Sequence, residues 1–124
     1  MEPAELAEAL RDDPALRGVS ALVLHGSRAR RDHRPNSDWD FGFLGSPDVG
    51  RLSARLVEMV GTDAVDVVDL AGASALLRFR AGAEGVLIAG DPAEFLRFRL
   101  QATQFWCDAG PVIRAAHDAL LASL

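Results

Sequence analysis

Asp38 and Asp40 are two carboxylates one residue apart, in the run Ser37-Asp38-Trp39-Asp40-Phe41-Gly42-Phe43-Leu44. In an extended segment successive side chains point to opposite faces, so these two share a face about 6.6 Å apart. Trp39, Phe41 and Phe43 share the other face, which reads as the side packed on the core. Gly42 continues the carboxylate face without a side chain to crowd a ligand. Two neighbouring carboxylates repel unless a cation lies between them, and hard oxygen donors favour magnesium. Two-metal sites hold their ions roughly 3.5–4 Å apart, a span that such a pair plus a third carboxylate can bracket. A chance D-x-D on a solvated strand edge is the competing reading, because so short a motif has little specificity alone.

Upstream of Asp38, with ten residues intervening, stands the pair Gly26-Ser27, preceded by the apolar run Leu22-Val23-Leu24. Gly26 lacks a Cβ and lets a phosphate approach the backbone. A helix starting at Ser27 would turn its free N–H groups and positive dipole end toward an anion; Ser27 also suits a purely structural N-cap. Arg28, Arg30, Arg31 and Arg34 crowd positive charge into one stretch of a chain whose net charge is −5. Some of these arginines belong to a solvated face, yet a basic patch beside acidic metal ligands suits a polyanion that carries its own magnesium.

The elements that must position these groups alternate along the chain. Leu6, Ala7 and Leu10 mark a helix over 3–12, ended by Asp13-Pro14. A strand over 19–25 leads into a short helix over 26–32, then a strand over 38–44. Ser46-Pro47-Asp48 opens an amphipathic helix carrying Leu52, Leu56, Val57 and Val60 and ended by Gly61. A strand over 64–70, a helix over 73–82 and a strand over 85–89 follow. Asp91-Pro92 starts a final helical region, which Gly110-Pro111 is expected to interrupt. The pattern implies a small α/β (α+β) domain, a mixed sheet with helices on one face and the carboxylates on the open one. Residues 1–124 read as a single domain, with a core over 19–90 and C-terminal helices over 92–124.

Composition agrees. A chain of 124 residues buries about two-thirds of its unfolded surface on folding, enough for one core. No apolar run is long enough to span a bilayer, and Met1-Glu2-Pro3 does not open a secretory leader. Cys107 is the sole cysteine, which excludes an internal disulfide and makes the cytoplasm the expected compartment. All thirteen basic residues are arginine, which excludes lysyl-nucleotide, Schiff-base and Walker-type lysine chemistry. His25, at the end of an apolar strand, reads as a hydrogen-bonded structural residue, and His33 as a solvated loop residue; neither has zinc-motif spacing. In the last helical region Phe95, Phe98, Ala102, Phe105 and Trp106 recur at helical spacing, and Val112, Ile113, Leu120 and Leu121 continue the apolar supply. Most of this stripe is core, with Phe105 and Trp106 as candidates for a partner surface.

The segment Gly26-Ser27-Arg28-Ala29-Arg30 … Ser37-Asp38-Trp39-Asp40 resembles the signature of minimal nucleotidyltransferases of the DNA polymerase β superfamily. Val65-Asp66-Val67-Val68-Asp69-Leu70 is similar to the strand that carries that family's third carboxylate, and Leu76-Leu77-Arg78-Phe79-Arg80 … Glu84-Gly85-Val86-Leu87-Ile88 is similar to a stretch of its small members. Within the superfamily the chain most resembles the MntA-type adenylyltransferase antitoxins paired with HEPN toxins, over roughly residues 20–90. Two departures stand out: Arg31 where relatives usually carry Gly, and His25 where an aromatic or aliphatic residue commonly precedes Gly-Ser.

The resemblance implies a magnesium-dependent transfer of AMP from ATP to a hydroxyl, plausibly a tyrosine, of a cognate HEPN ribonuclease, with no membrane or direct nucleic-acid partner. Asp38 and Asp40 would hold two Mg2+ ions, Asp66 the ion on the acceptor side, and Gly26, Ser27 and Arg30 the β- and γ-phosphates. Asp66 and Asp69 lie three apart and cannot share a strand face. Asp66 is the expected third carboxylate, since the alternative, Asp69, would leave Asp66 buried mid-strand without a partner. The chain contains no tyrosine, so a tyrosine acceptor must belong to another molecule. A noncatalytic antitoxin that acts by binding, and a transferase acting on a small molecule such as an aminoglycoside, are the two rival readings.

Overall fold

The computed structural model describes residues 1–124. Its elements run α1 (Pro3–Ala9), β1 (Val19–His25), α2 (Ser27–Arg30), β2 (Trp39–Gly45), α3 (Val49–Val60), β3 (Val65–Asp69), α4 (Ala75–Glu84), β4 (Val86–Gly90) and α5 (Pro92–Ala122), with short 3-10 turns at Pro14–Leu16 and Leu70–Gly72. The helices start where the sequence supplies acceptors for free N–H groups. Asp48 accepts from the Arg51 N–H at 3.1 Å, Ser74 from Leu77 at 3.2 Å and Asp91 from Ala93 at 2.9 Å. Gly61 ends α3 in the left-handed conformation, which glycine adopts without strain.

The four strands form a mixed sheet in the order β3-β2-β1-β4. β1 pairs antiparallel with both β2 and β4, and β2 pairs parallel with β3. Strand alternation splits the core in two. On one face Leu22, Leu24, Trp39, Phe41, Phe43 and Ile88 meet Leu6 and Leu10 of the N-terminal segment and Leu52 and Leu56 of α3. On the other, Ala21 and Val23 meet Leu70, Ala81 of α4 and Phe95, Phe98 and Ala102 of α5.

The expected mixed sheet is therefore present, but helices cover both faces instead of one. The face that carries the carboxylates is packed along most of its length by α4 and α5, and its end near Asp40 and Asp66 is left uncovered by them. Gly42 belongs to the packed part. A Cβ there would come within 2.6–2.8 Å of the Leu70 side chain, so this glycine makes room for the core and not for a ligand.

The break expected at Gly110-Pro111 is absent: α5 is continuous over 31 residues with Pro111 inside it. Proline removes one rung of the ladder, and the turns on either side carry the helix through. Gly110 is buried, with Trp106 3.2 Å from where its Cβ would stand. Residues 111–124 are all exposed. No helix is long and apolar enough to cross a membrane.

Candidate functional site

Three side chains stand in one transverse row across the sheet. The β1–β2 register sets His25 opposite Asp40, and the β2–β3 register sets Asp40 opposite Asp66. Cross-strand partners project to the same face, so an imidazole and two carboxylates line the end of the carboxylate face. Asp38 is exposed, one residue before β2. Asp69 pairs with Phe43 and caps the following turn by accepting from the Ala71 N–H at 3.0 Å. Of the two candidate third carboxylates, the register puts Asp66 in the row.

The Gly-Ser turn abuts this row. Gly26 sits at φ 72° and ψ −159°, a backbone region hostile to side chains, and a Cβ there would collide with the Asp40 carboxylate. Gly26 is also the N-cap of α2, its carbonyl accepting from the Ala29 and Arg30 N–H groups, both at 3.1 Å. Ser27 is thus the first helical residue and not the cap, and its hydroxyl makes no capping bond.

The basic stretch divides by function. Arg28 stacks over Trp39 with its guanidinium carbon 4.1 Å from the ring centre, and donates from Nε and Nη2 to the Ser37 carbonyl at 3.2 and 3.0 Å. It clamps the loop that delivers Asp38. Arg31 closes α2 at φ 63°, a left-handed conformation that glycine adopts freely and arginine only at a cost; its guanidinium pairs with Glu2 at 3.2 Å. Arg30 pairs with Glu84 at 3.0 Å and Asp32 at 3.2 Å, and these two bonds raise its pKa, Glu84 the more. Arg34 is exposed.

Electrostatics mark the row as strained. Burial is the first cause that pushes Asp40 above the ordinary carboxylate range; the negative charges of Asp66 and Asp38 push the same way, against the pull of His25 and Arg30. His25 is the single buried polar residue in the chain. Burial pulls its pKa down, opposed by Asp40, the Phe41 backbone and Asp66. Its Nε2 is closed to solvent and has no hydrogen-bond partner, so the hydrogen-bonded histidine expected from the sequence is met only through the Phe41 backbone.

A divalent ion suits this donor set. The carboxylates are hard oxygen ligands whose mutual repulsion a cation would relieve, and Gly26 keeps a cradle open against Asp40. They stand as neighbours and not as a closed cage: no three His, Cys, Asp or Glu side chains are drawn together tightly enough to hold a metal as they stand. The tight convergence expected of Asp38, Asp40 and Asp66 is therefore incomplete, although all three lie around one corner.

Two residues at this corner have roles that the sequence reading did not give them. Glu84, remote in sequence, tethers Arg30. His25 adjoins Asp40, and its placement directly before Gly-Ser was the available signal.

The polymerase beta nucleotidyltransferase model matches residues 5–93. No curated protein matches the chain significantly in sequence. Solved structures match along nearly the whole length. A crystal structure of a toxin–antitoxin with AMP-PNP aligns at TM-score 0.77 and 21% identity, covering 98% of this chain and 99% of that one. The toxin–antitoxin MntA-HepT aligns at TM-score 0.68 and 22% identity over 96% of each chain. A rebuilt structure of tri-AMPylated Shewanella oneidensis HEPN toxin in complex with MNT antitoxin aligns at TM-score 0.68 and 21% identity, covering 96% and 95%. These likenesses carry the fold, and the family model spans well over half of the residues, including the Gly-Ser turn and every carboxylate of the row: the chain belongs to the polymerase beta nucleotidyltransferase family.

Proposed function

We propose that this chain is a magnesium-dependent nucleotidyltransferase that moves AMP from ATP to a tyrosine hydroxyl of a HEPN ribonuclease toxin in the cytoplasm, and so serves as its antitoxin. The observation that carries this reading is the placement of Asp40 and Asp66 side by side, against the Gly26-Ser27 turn, in a chain that aligns end to end with structures of toxin–antitoxin complexes. The AMP-PNP of one such structure and the AMPylated toxin of another support the nucleotide and the acceptor.

Asp38 and Asp40 would bind the nucleotide's magnesium, and Asp66 would complete the donor set on the acceptor side. When bound, the ions lower the pKa of the incoming hydroxyl and neutralise the triphosphate and the departing pyrophosphate. Gly26 and the Ser27 N–H and hydroxyl seat the β- and γ-phosphates. Arg30 joins them by exchanging its two exposed ion pairs for a phosphate, a trade that costs little at this exposure. The acceptor oxygen forms its bond to the α-phosphorus in line as the bond to the pyrophosphate oxygen breaks. Asp66, exposed on the edge strand, offers the site for the hydroxyl proton. The residues contribute chiefly position and fixed charge.

The partner surface in this reading is the exposed length of α5, where Phe105, Val112, Ile113, Leu120 and Leu121 are apolar and uncovered.

The test is to incubate the chain with ATP, magnesium and the HEPN protein encoded beside it, then record that protein's intact mass. Added AMP with the wild type and none with Asp38→Ala is the expected result. No added AMP, or equal addition with Asp38→Ala, overturns it; neutralisation that survives the loss of the carboxylates favours binding alone.

A further inference from the structure

The end of the sheet opposite the carboxylates holds a cavity of about 370 Å3, walled by Leu44 and Phe98 and ringed by Ser20, Arg78, Arg97 and Gln101. Ser20 lies five residues from His25 along β1, roughly 17 Å in an extended strand, so this cavity is separate from the row.

Arg78 is its unusual member. It is half-buried, its guanidinium carbon stacks 4.4 Å from the centre of the Phe105 ring, and its Nε is closed to solvent without a hydrogen-bond partner. Every ion pair in the protein is made by another arginine. A guanidinium stacked on an aromatic face keeps its terminal Nη donors free, in a fork that matches a carboxylate or phosphate. Arg97 stands beside it, paired with Glu94. Two arginines against one glutamate leave the cavity positive in a chain of net charge −5. The Gln101 amide adds a neutral donor, and Leu44, Phe98 and Ala102 supply an apolar wall.

The geometry points to a second binding site, for a small molecule that presents one oxyanion to Arg78 and an apolar body to Leu44 and Phe98. The volume lies within the range of small-molecule pockets. The site does not depend on the nucleotidyl-transfer reading, because none of its residues belongs to that corner.

Titration of isotope-labelled full-length protein with inorganic phosphate, AMP and hexanoate, followed by amide NMR, tests it. At least one probe is expected to shift the Gly45, Ala71 and Gln101 amides saturably at millimolar concentration. Arg78→Gln should weaken that response about tenfold, as should Gln101→Glu, an exposed substitution that sets a negative charge at the rim without threatening the fold. Responses of Gly26 and Ser27 to phosphate or AMP report the other end of the sheet and should persist in both variants. Saturation by AMP alone assigns a phosphate ligand with an attached body, and saturation by hexanoate alone a carboxylate. No saturable shift at the three amides with any probe, or an undiminished shift in both variants, overturns the proposal.

Discussion

Asp40 and Asp66 face each other across a parallel strand pair, Cα opposite Cα, and the Asp66 charge makes the Asp40 charge harder to carry. Asp66 is among the causes that raise the Asp40 pKa, after burial. Removing the Asp66 charge should therefore help the metal-free fold while it harms chemistry. In EDTA, Asp66→Asn is expected to melt about 1–3 °C above the wild type. AMP transfer should fall about 100-fold or more, since groups one shell further from a metal already cost up to that much. A variant that melts higher and stays active would remove Asp66 from the site.

Gly26→Ala tests the turn. The backbone sits at φ 72° and a Cβ would meet the Asp40 carboxylate, so strain and collision act together. A loss of about 1–3 kcal/mol is expected, read from the urea midpoint, with nucleotide affinity reduced in the fraction that folds. Unchanged stability would mean that Asp40 can move aside freely, and the cradle described above would not exist.

Much of this corner is legible in the sequence because its cues are local. The strand over Val19–His25 follows from its apolar run, the carboxylate face of β2 from alternation, and the end of α3 from Gly61. What escaped depends on contacts distant in sequence. Gly42 looks like ligand space until Leu70 is seen beneath it, and Arg30 looks free until Glu84, fifty-four residues away, reaches it. The second helical layer was hidden for the same reason: the stripe Phe95, Phe98 and Ala102 says that α5 is buried, but not against which face. Pro111 misled in the opposite sense, because a proline breaks a helix only when the flanking turns cannot hold it.

The Gly42–Leu70 contact is measurable as a coupling. Gly42→Ala alone should cost about 1–3 kcal/mol through overpacking, because its Cβ would stand 2.6 Å from Leu70 Cγ. Leu70 is fully buried, and Leu70→Ala alone should cost about 2–5 kcal/mol. The double variant should then lose less than the sum of the two by about 0.5 kcal/mol or more. Additive losses in chemical denaturation would show that the two residues do not compete for one space.

His25 gives the fold a pH dependence whose sign is fixed by burial. Its folded pKa lies below the ordinary imidazole value of 6.5, so the unfolded chain takes up a proton first as the pH falls through that value. The stability contributed by neutral His25 is present above it and is lost on acidification. Between about pH 7.5 and pH 6, metal-free wild type is expected to lose more melting temperature than His25→Phe, in which the other ionisable groups are retained. Equal losses would show that the imidazole titrates alike in both states, and the buried, unpartnered Nε2 would have no thermodynamic weight.

The outer half of α5 separates folding from partner binding. Residues 111–124 are all exposed, and Val112 and Leu120 keep 69% and 62% of their surface open. Ile113 and Leu120, seven residues apart, lie on one side of the helix. Burial of apolar area is what stabilises a helix of this length against its domain, and this segment, without one buried residue, has little to lose. A chain ending at Gly110 should therefore melt within about 2 °C of the full one, because the buried part of α5, Phe95 through Ala102, is retained. If the exposed stripe receives the HEPN partner, the shortened chain should fail to co-elute with it in size-exclusion chromatography while still binding ATP. A shortened chain that elutes with the partner would move the interface elsewhere, and one that melts far lower would show that the outer turns stabilise the domain despite their exposure.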